Sequence, residues 1–322
     1  MMRLSVPRRP RRGATVTVVI PCYRYGHYLE SAVDSVLTQP GVDAQVIIVD
    51  DASPDGSGEV AARLARREPR VRAIVHETNR GHIATYNDGL AAVDTEFVSL
   101  VSADDVIAPG ALGRAVSLMQ RHSRVGLVYG AIATFADDDA PRPERTRPYS
   151  AWRRWTGDEW IASIAASGYN PIASPEAVLR TSAVQQIGGY TAALPHSGDL
   201  EYWLRVASMW DVGQIHGPVQ AYYRVHGENM HLTDFGSREA DIRERYAAFR
   251  VLARPETRAA LPTALDRLDT ARRTLLAEVD GLLAAAGDAE ASVPLAALRA
   301  TLSSGGSATR PAPITSRSLD RS

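Results

Sequence analysis

The chain has 322 residues, 45% apolar and 23% charged, enough for about two domains or one large α/β unit with appendages. Its 36 basic residues, all arginine, stand against 37 acidic ones for a formal charge of −1, so the basic excess of a dedicated nucleic-acid binder is missing. One cysteine, Cys22, and no lysine exclude an internal disulfide, a cysteine zinc site, Schiff-base chemistry and a P-loop lysine.

The opening MMRLSVPRRPRRG carries five arginines but no apolar stretch of the signal-peptide kind, and no run of about 18 apolar residues is present to cross a bilayer. Residues 1–13 are expected to be a disordered, Arg-rich segment, solvated or touching anionic lipid. A reducing cytoplasmic setting is expected, either free or peripheral at the inner face of a membrane.

From Thr15 the text alternates between strand and helix. TVTVVIPC is the continuous β-branched run of a strand buried on both faces, and Tyr28 to Gln39 places Leu29, Ala32, Val33, Val36 and Leu37 at helical spacing. Three further units follow: QVIIVD with a helix over 58–67, VRAIVH with one over 81–92, and EFVSLV with one over 109–121. VGLVYGAIATF completes an expected parallel core, because strands alternating with helices favour right-handed crossovers within one sheet.

The polar segment 137–150 reads as a loop. Beyond it come expected helices over 158–166 and 199–209 and short strands over 211–215 and 219–225. From Ser237 to Leu302 helical periodicity returns, broken at Pro255 and Pro262, in a region suited to packing on the core or to a homodimer contact. The Gly-, Ser- and Pro-containing text from Ser303 is expected to be a disordered tail.

Strand C-termini are where open α/β sheets bind ligands, and polar constellations stand there. In SADD, the adjacent Asp104 and Asp105 repel unless a cation joins them, so they suit Mg²⁺ or Mn²⁺ with substrate phosphates; Asp105 also suits the cap of a following helix. Gly56, Gly58 and Ala61 spell GxGxxA, with Glu77 further on. Asp50, Asp51 and Asp55 crowd that turn, however, and three carboxylates oppose a pyrophosphate. Asp51 is better used to accept a nucleobase N–H.

In chain order, VTVVIPCYRYGHYLESAVDSVLTQ, VIIVDDASPDGS, NRGHIATYNDGLAAVDTEFVSLVSADD, RTSAVQQIGGY, SGDLEYWLRVA and YYRVHGEN resemble the inverting family 2 glycosyltransferases of the GT-A fold. Such an ordered set is more specific than any single motif. The resemblance implies an α/β, doubly wound and mostly parallel sheet over 14–236, with a Rossmann-like nucleotide-binding half and an acceptor-binding half. A C-terminal helical region over 237–302 and the tail 303–322 would follow.

It also implies a UDP-, GDP- or dTDP-sugar donor. Pro21 and Tyr23 would line the base pocket, Asp51 would accept the base N–H, and Arg80 and Gly81 would face the donor. Asp104 would lie near the ribose or sugar and Asp105 would ligate Mn²⁺ or Mg²⁺. Arg224 and His226 would approach the diphosphate or the metal. Asp199 aligns with the general base, and Gly198 stands where the family commonly has Glu, which leaves a two-carboxylate scheme without its second member.

The expected chemistry is inverting, metal-dependent transfer to an acceptor hydroxyl on a lipid-linked carrier, a polysaccharide or a natural product. Two other readings stand beside it. A nucleotidyltransferase would need a basic, Gly-rich first loop, whereas PCYRYGHYL is aromatic. A non-catalytic nucleotide-sugar-binding protein would not need Asp51, Asp105 and Asp199 together.

Overall fold

The computed structural model describes residues 2–7, 9–11, 13–136, 151–226, 237–286 and 292–304. The expected loop 137–150, the end of YYRVHGEN, His231 and the tail beyond 304 lie outside the described residues. In chain order the strands are β1 (Arg3–Ser5), β2 (Thr15–Cys22), β3 (Asp43–Asp50), β4 (Val71–Val75), β5 (Phe97–Leu100), β6 (Val106–Ile107), β7 (Val125–Phe135), β8 (Ala151–Trp155), β9 (Val178–Arg180) and β10 (Asp211–Arg224). The helices are α1 (Leu29–Leu37), α2 (Ser57–Arg67), α3 (His82–Ala91), α4 (Ala111–Arg121), α5 (Gly157–Ser167), α6 (Thr181–Ile187), α7 (Gly198–Met209), α8 (Arg238–Phe249), α9 (Pro255–Ala260), α10 (Ala264–Ala286) and α11 (Ser292–Ser303).

The strands form one sheet in the order β1-β8-β10-β7-β9-β5-β2-β3-β4, with β6 against β10. β5, β2, β3 and β4 are parallel neighbours. The uninterrupted parallel core expected from sequence is corrected at β9, which runs antiparallel between β5 and β7. Three residues show too little periodicity to stand out as a strand. Tertiary contacts hold them: the Ser99 hydroxyl donates to Ala177 O at 2.7 Å, and Thr181 N–H donates to Glu96 O at 3.0 Å. The two short strands expected over 211–225 are one strand, β10, whose register with β7 shifts between Ile215 and Val219.

Alternation along the buried strands divides the core between two faces. Val16, Val18, Ile20 and Ile48 pack with α1, α2 and α4. Val19, Ile47 and Val49 pack with α3, α5 and α7 on the other side.

That second cluster also takes in Ile242 and Phe249 of α8, Leu275 and Val279 of α10, and Leu298 and Leu302 of α11. The boundary expected at residue 237 therefore separates no independent core. The helix breaks do fall beside the prolines: Pro255 opens α9, and α10 begins after Pro262. The expectation of disorder over 1–13 is corrected at Arg3–Ser5, which pair antiparallel with β8.

Helix α3 lies close on the sheet at Gly89. A Cβ there would come within 2.3 Å of Val19 Cγ1 and 3.1 Å of Val49 Cγ2. Gly89→Ala is expected to destabilise the chain by about 2 kcal/mol through overpacking, read as a lower urea midpoint. An unchanged midpoint would show that α3 does not depend on this approach.

Candidate active site

The ends of β2, β3 and β5 open on one rim, and short polar links tie the first two loops together. Arg24 N–H donates to the Ser53 hydroxyl at 3.0 Å, and Gly26 N–H donates to that of Ser57 at 2.8 Å. Arg24 and Ala52 are held at φ 63° and 56°, a left-handed backbone that non-glycine residues adopt only where surroundings impose it. Tyr23 is 41% exposed, with the Arg24 guanidinium 5.5 Å from its ring centre. Pro21 sits in β2 opposite Val49. At GxGxxA, Ser57 N–H is taken by Asp55 Oδ1 at 3.1 Å and Gly58 lies against the Asp50 carboxylate. This helix start is therefore already met by carboxylates.

Asp51 is almost wholly buried and organises the turn that leads into α3. Its Oδ1 accepts Arg80 N–H and lies beside His76 Nδ1, both at 2.8 Å, while Oδ2 accepts Gly81 N–H at 2.8 Å. Burial opposes its ionisation, but His76 and the two backbone donors together hold its carboxyl below the ordinary aspartate range. Gly81 takes φ 82°, which glycine alone adopts freely. The Arg80 guanidinium pairs with Asp88 of α3, whose Oδ2 also lies 3.0 Å from His76 Nε2.

Asp104 and Asp105 are 6% and 1% exposed. Asp105 caps no helix, since α4 begins at Ala111 behind Gly110. Instead its Oδ1 accepts Arg224 N–H at 2.9 Å, and Arg224 Nε donates to Asp104 O at 2.9 Å. The Arg224 guanidinium is buried between Tyr28 and Phe135, 4.2 and 4.3 Å from their ring centres, and so braces the acidic pair. His226 Nε2 lies 3.0 Å from Asp104 Oδ2. Burial, and then the Asp104 charge, push the Asp105 carboxyl well above its usual range.

Asp199 stands in the first turn of α7, and Ser197 rather than Asp199 is the N-cap residue. The Ser174 hydroxyl donates to Asp199 Oδ2, from a residue held at φ 88°. Burial raises the Asp199 carboxyl, while hydrogen bonds from Ser174 and Tyr190 and the nearby His82 and His196 offset part of the rise. The C-terminal helices steady this turn. Glu244 of α8 accepts Ser197 N–H at 3.2 Å, and Arg254 pairs at 2.8 Å with the buried Glu201 of α7.

The charges of Asp199, Asp104 and Asp105 all reach Tyr86 of α3. Its phenol is pushed up by burial and then by the charges of Asp199, Asp104 and Asp105. The Asp51 turn leads to the same region through His82, which follows Gly81, lies 5.5 Å from the Tyr86 ring and acts by its charge on Asp199.

A further acid, Glu176, was not apparent from sequence. It is 4% exposed and pushed up to about 7 by burial, with Asp199 adding to the rise. Its Oε1 accepts Ala173 N–H at 2.9 Å, and its Oε2 is buried without a hydrogen-bond partner among the described residues. Its one sequence signal is an acid immediately before the apolar AVL. His76 and Ser174 left no motif at all.

Among the described residues no group of three or more His, Cys, Asp or Glu side chains is arranged to hold a metal. Two crowded carboxylates with a neighbouring imidazole nevertheless fit a divalent ion completed by substrate oxygens.

Residues 17–171 match the family model described as glycosyl transferase family 2. An uncharacterized glycosyltransferase of Nostoc sp. is 36% identical over 114 residues, covering 35% of this chain and 35% of the relative. Glycosyltransferase GlyG of Streptococcus pneumoniae is 34% identical over 93 residues, covering 29% of this chain and 31% of the relative. The match thus spans about a third of these relatives' own length. Among solved structures, S. aureus TarS 1–349 in complex with UDP-GlcNAc superposes with a TM-score of 0.60 at 15% identity, covering 92% of this chain and 93% of that one. Mannosyltransferase PcManGT from Pyrobaculum calidifontis, in complex with GDP-Man and Mn²⁺, gives 0.54 at 21% identity, covering 94% and 83%. At these identities the likeness shows a shared GT-A type fold.

Glu176 gives a pH-dependent test of the site. With its folded-state pKa raised to about 7, the stabilisation of its protonated form is present at acid pH and lost as pH rises through about 7. Glu176→Gln keeps the Ala173 contact and removes that loss. The variant is expected to gain on the order of 2 kcal/mol relative to wild type between pH 5 and pH 8, followed by thermal unfolding. A difference independent of pH would mean Glu176 is not held in this environment.

Proposed function

Because residues 17–171 belong to glycosyl transferase family 2, we propose that the chain moves a sugar from a nucleotide-diphosphate donor to an acceptor hydroxyl with inversion at the anomeric carbon. The observation that carries this reading is that the charges of Asp104, Asp105 and Asp199, from three separate segments, all reach the Tyr86 phenol. Asp199 is the general base. Its carboxylate takes the acceptor proton as that oxygen attacks in line, and the bond to the diphosphate breaks on the opposite side. Ser174 and Tyr190 hold the carboxylate in place, and burial raises its proton affinity toward what a base needs near neutral pH.

The nucleotide end lies against the loops after β2 and β3, with Tyr23 open for stacking and the Asp51 turn beside it. Asp105, with Asp104 and His226 adjoining, would hold Mn²⁺ or Mg²⁺, which when bound would neutralise the departing diphosphate. UDP- and GDP-sugars are the first donors to assay, because the TarS and PcManGT structures hold UDP-GlcNAc and GDP-Man.

Asp199→Asn is expected to lower transfer by about 10²-fold or more while donor binding by calorimetry persists, and Asp105→Ala is expected to weaken both. Wild-type transfer in Asp199→Asn would refute the base assignment. Since the base must be ionised, kcat/KM should fall on the acid side through a pKa above the ordinary aspartate range.

A further inference from the structure

Pairing of β1 with β8 sets Arg3 directly opposite Arg154 and Leu4 opposite Arg153. Like charges in cross-strand positions repel, and more cations crowd the same edge. Arg121 and His122 stand at the end of α4, and Arg124 follows them. Burial, then Arg154 and Arg121, depress the proton affinity of His122; burial and Arg3 do the same at Arg154. Arg154 Nε is buried without a hydrogen-bond partner among the described residues. Among the described residues the carboxylate facing this group is Asp211, 3.9 Å from Arg124 Nε and felt by Arg154. In a chain of net charge −1, this is a strongly polarised surface.

Apolar side chains stand beside it: Met2, Leu4 and Val6 are 42%, 64% and 77% exposed. Their spacing of two places them on one side of the extended segment. A second copy paired along β1 would bring arginine against arginine. Nucleic acid would satisfy the charge but leave the aliphatic chains unmatched. A bilayer with anionic headgroups satisfies both.

We propose that the β1–β8 edge docks edge-on against an anionic lipid surface, with Arg153 on the Leu4 side of the strand pair and Arg3, Arg121 and Arg124 on the other side toward headgroup phosphates, and Met2, Leu4 and Val6 at the acyl boundary. Arg154 pairs with Gly213 near the start of β10, whereas Arg224 ends that strand at the rim. Val128 and Phe135 of β7 pair with Gly213 and Arg224, so seven steps at about 3.3 Å put the cleft about 23 Å along the strands from the docked edge, and it stays open to donor in the bound state.

The test is co-sedimentation of the full chain with phosphatidylglycerol/phosphatidylcholine vesicles and with phosphatidylcholine vesicles alone. Binding is expected to the anionic vesicles only, and to fall about tenfold in Arg3→Gln/Arg121→Gln/Arg124→Gln and in Leu4→Ser/Val6→Ser, with the thermal transition kept. No binding to anionic vesicles, equal binding to both lipids, or undiminished binding in the two variants would overturn the proposal. So would loss in the arginine variant alone, with inorganic polyphosphate competing fully, which marks an anion site without a bilayer. If the arginine variant fails to fold, the Leu4/Val6 pair, both exposed, decides. None of these readouts depends on glycosyl transfer, so a failure of that reading would be seen separately.

Discussion

The constraint on which the site depends is the burial of like charge. Asp104, Asp105 and Glu176 are each nearly enclosed, Asp199 is mostly so, and Asp104, Asp199 and Glu176 each add to the rise of a neighbouring acid. Such a grouping is unfavourable in isolation, since burial and mutual repulsion both penalise the ionised forms. The fold holds it by surrounding each acid with donors from different elements. Asp105 takes the Arg224 amide, Asp104 meets His226, Asp199 takes Ser174 and Tyr190, and Glu176 takes the Ala173 amide. What stays uncompensated is a local excess of negative charge at the rim, which a divalent cation with a bound diphosphate is suited to meet.

The C-terminal helices belong to this arrangement rather than to an appendage. The turn bearing Asp199 is held from outside the parallel sheet, through Glu244 on the Ser197 amide and Arg254 on Glu201. Behind these contacts, α8, α10 and α11 share the apolar cluster with α5 and α7. As the proposed general base, Asp199 would need such support to keep its position. On the donor side the support is local: Asp51 orders residues 76–81 with three hydrogen bonds spaced within thirty residues of itself.

Much of this was legible in the amino-acid text because it rests on short-range pattern. The runs TVTVVIPC and QVIIVD, with their helices, announce parallel strands by continuous apolarity, and the acids at strand ends stand where topology brings ligands. Long-range relations were less legible. β9 is a strand only because β5 and β7 leave a gap between them, and Arg3–Ser5 pair because β8 offers an edge. The cap alternative for Asp105 failed because the helix starts six residues beyond it, at Ala111, and helix boundaries are the weakest part of pattern reading. Ser174 gives no warning of its positive φ, because its backbone is set by tertiary contacts and not by its own preference.

With Gly at position 198, Asp199 has as its acidic neighbour Glu176 from another segment. Gly198 leaves the first turn of α7 with Asp199 directed toward Ser174, while Glu176 comes from a segment 23 residues earlier and feels the Asp199 charge. The two environments differ. Asp199 has hydroxyl donors and nearby imidazoles that favour its ionised form, whereas Glu176 is enclosed with one oxygen unmet and is pushed to about 7. Environments that separate the proton affinities of paired carboxyls also separate their functions. In the proposed reaction Asp199 would be the member that accepts a proton, and Glu176, neutral over part of the physiological range, would limit the repulsion that a second full charge would add. Glu176, in the turn before β9, thus sets a second carboxyl near the proposed base without adding a full charge over the range in which it is neutral.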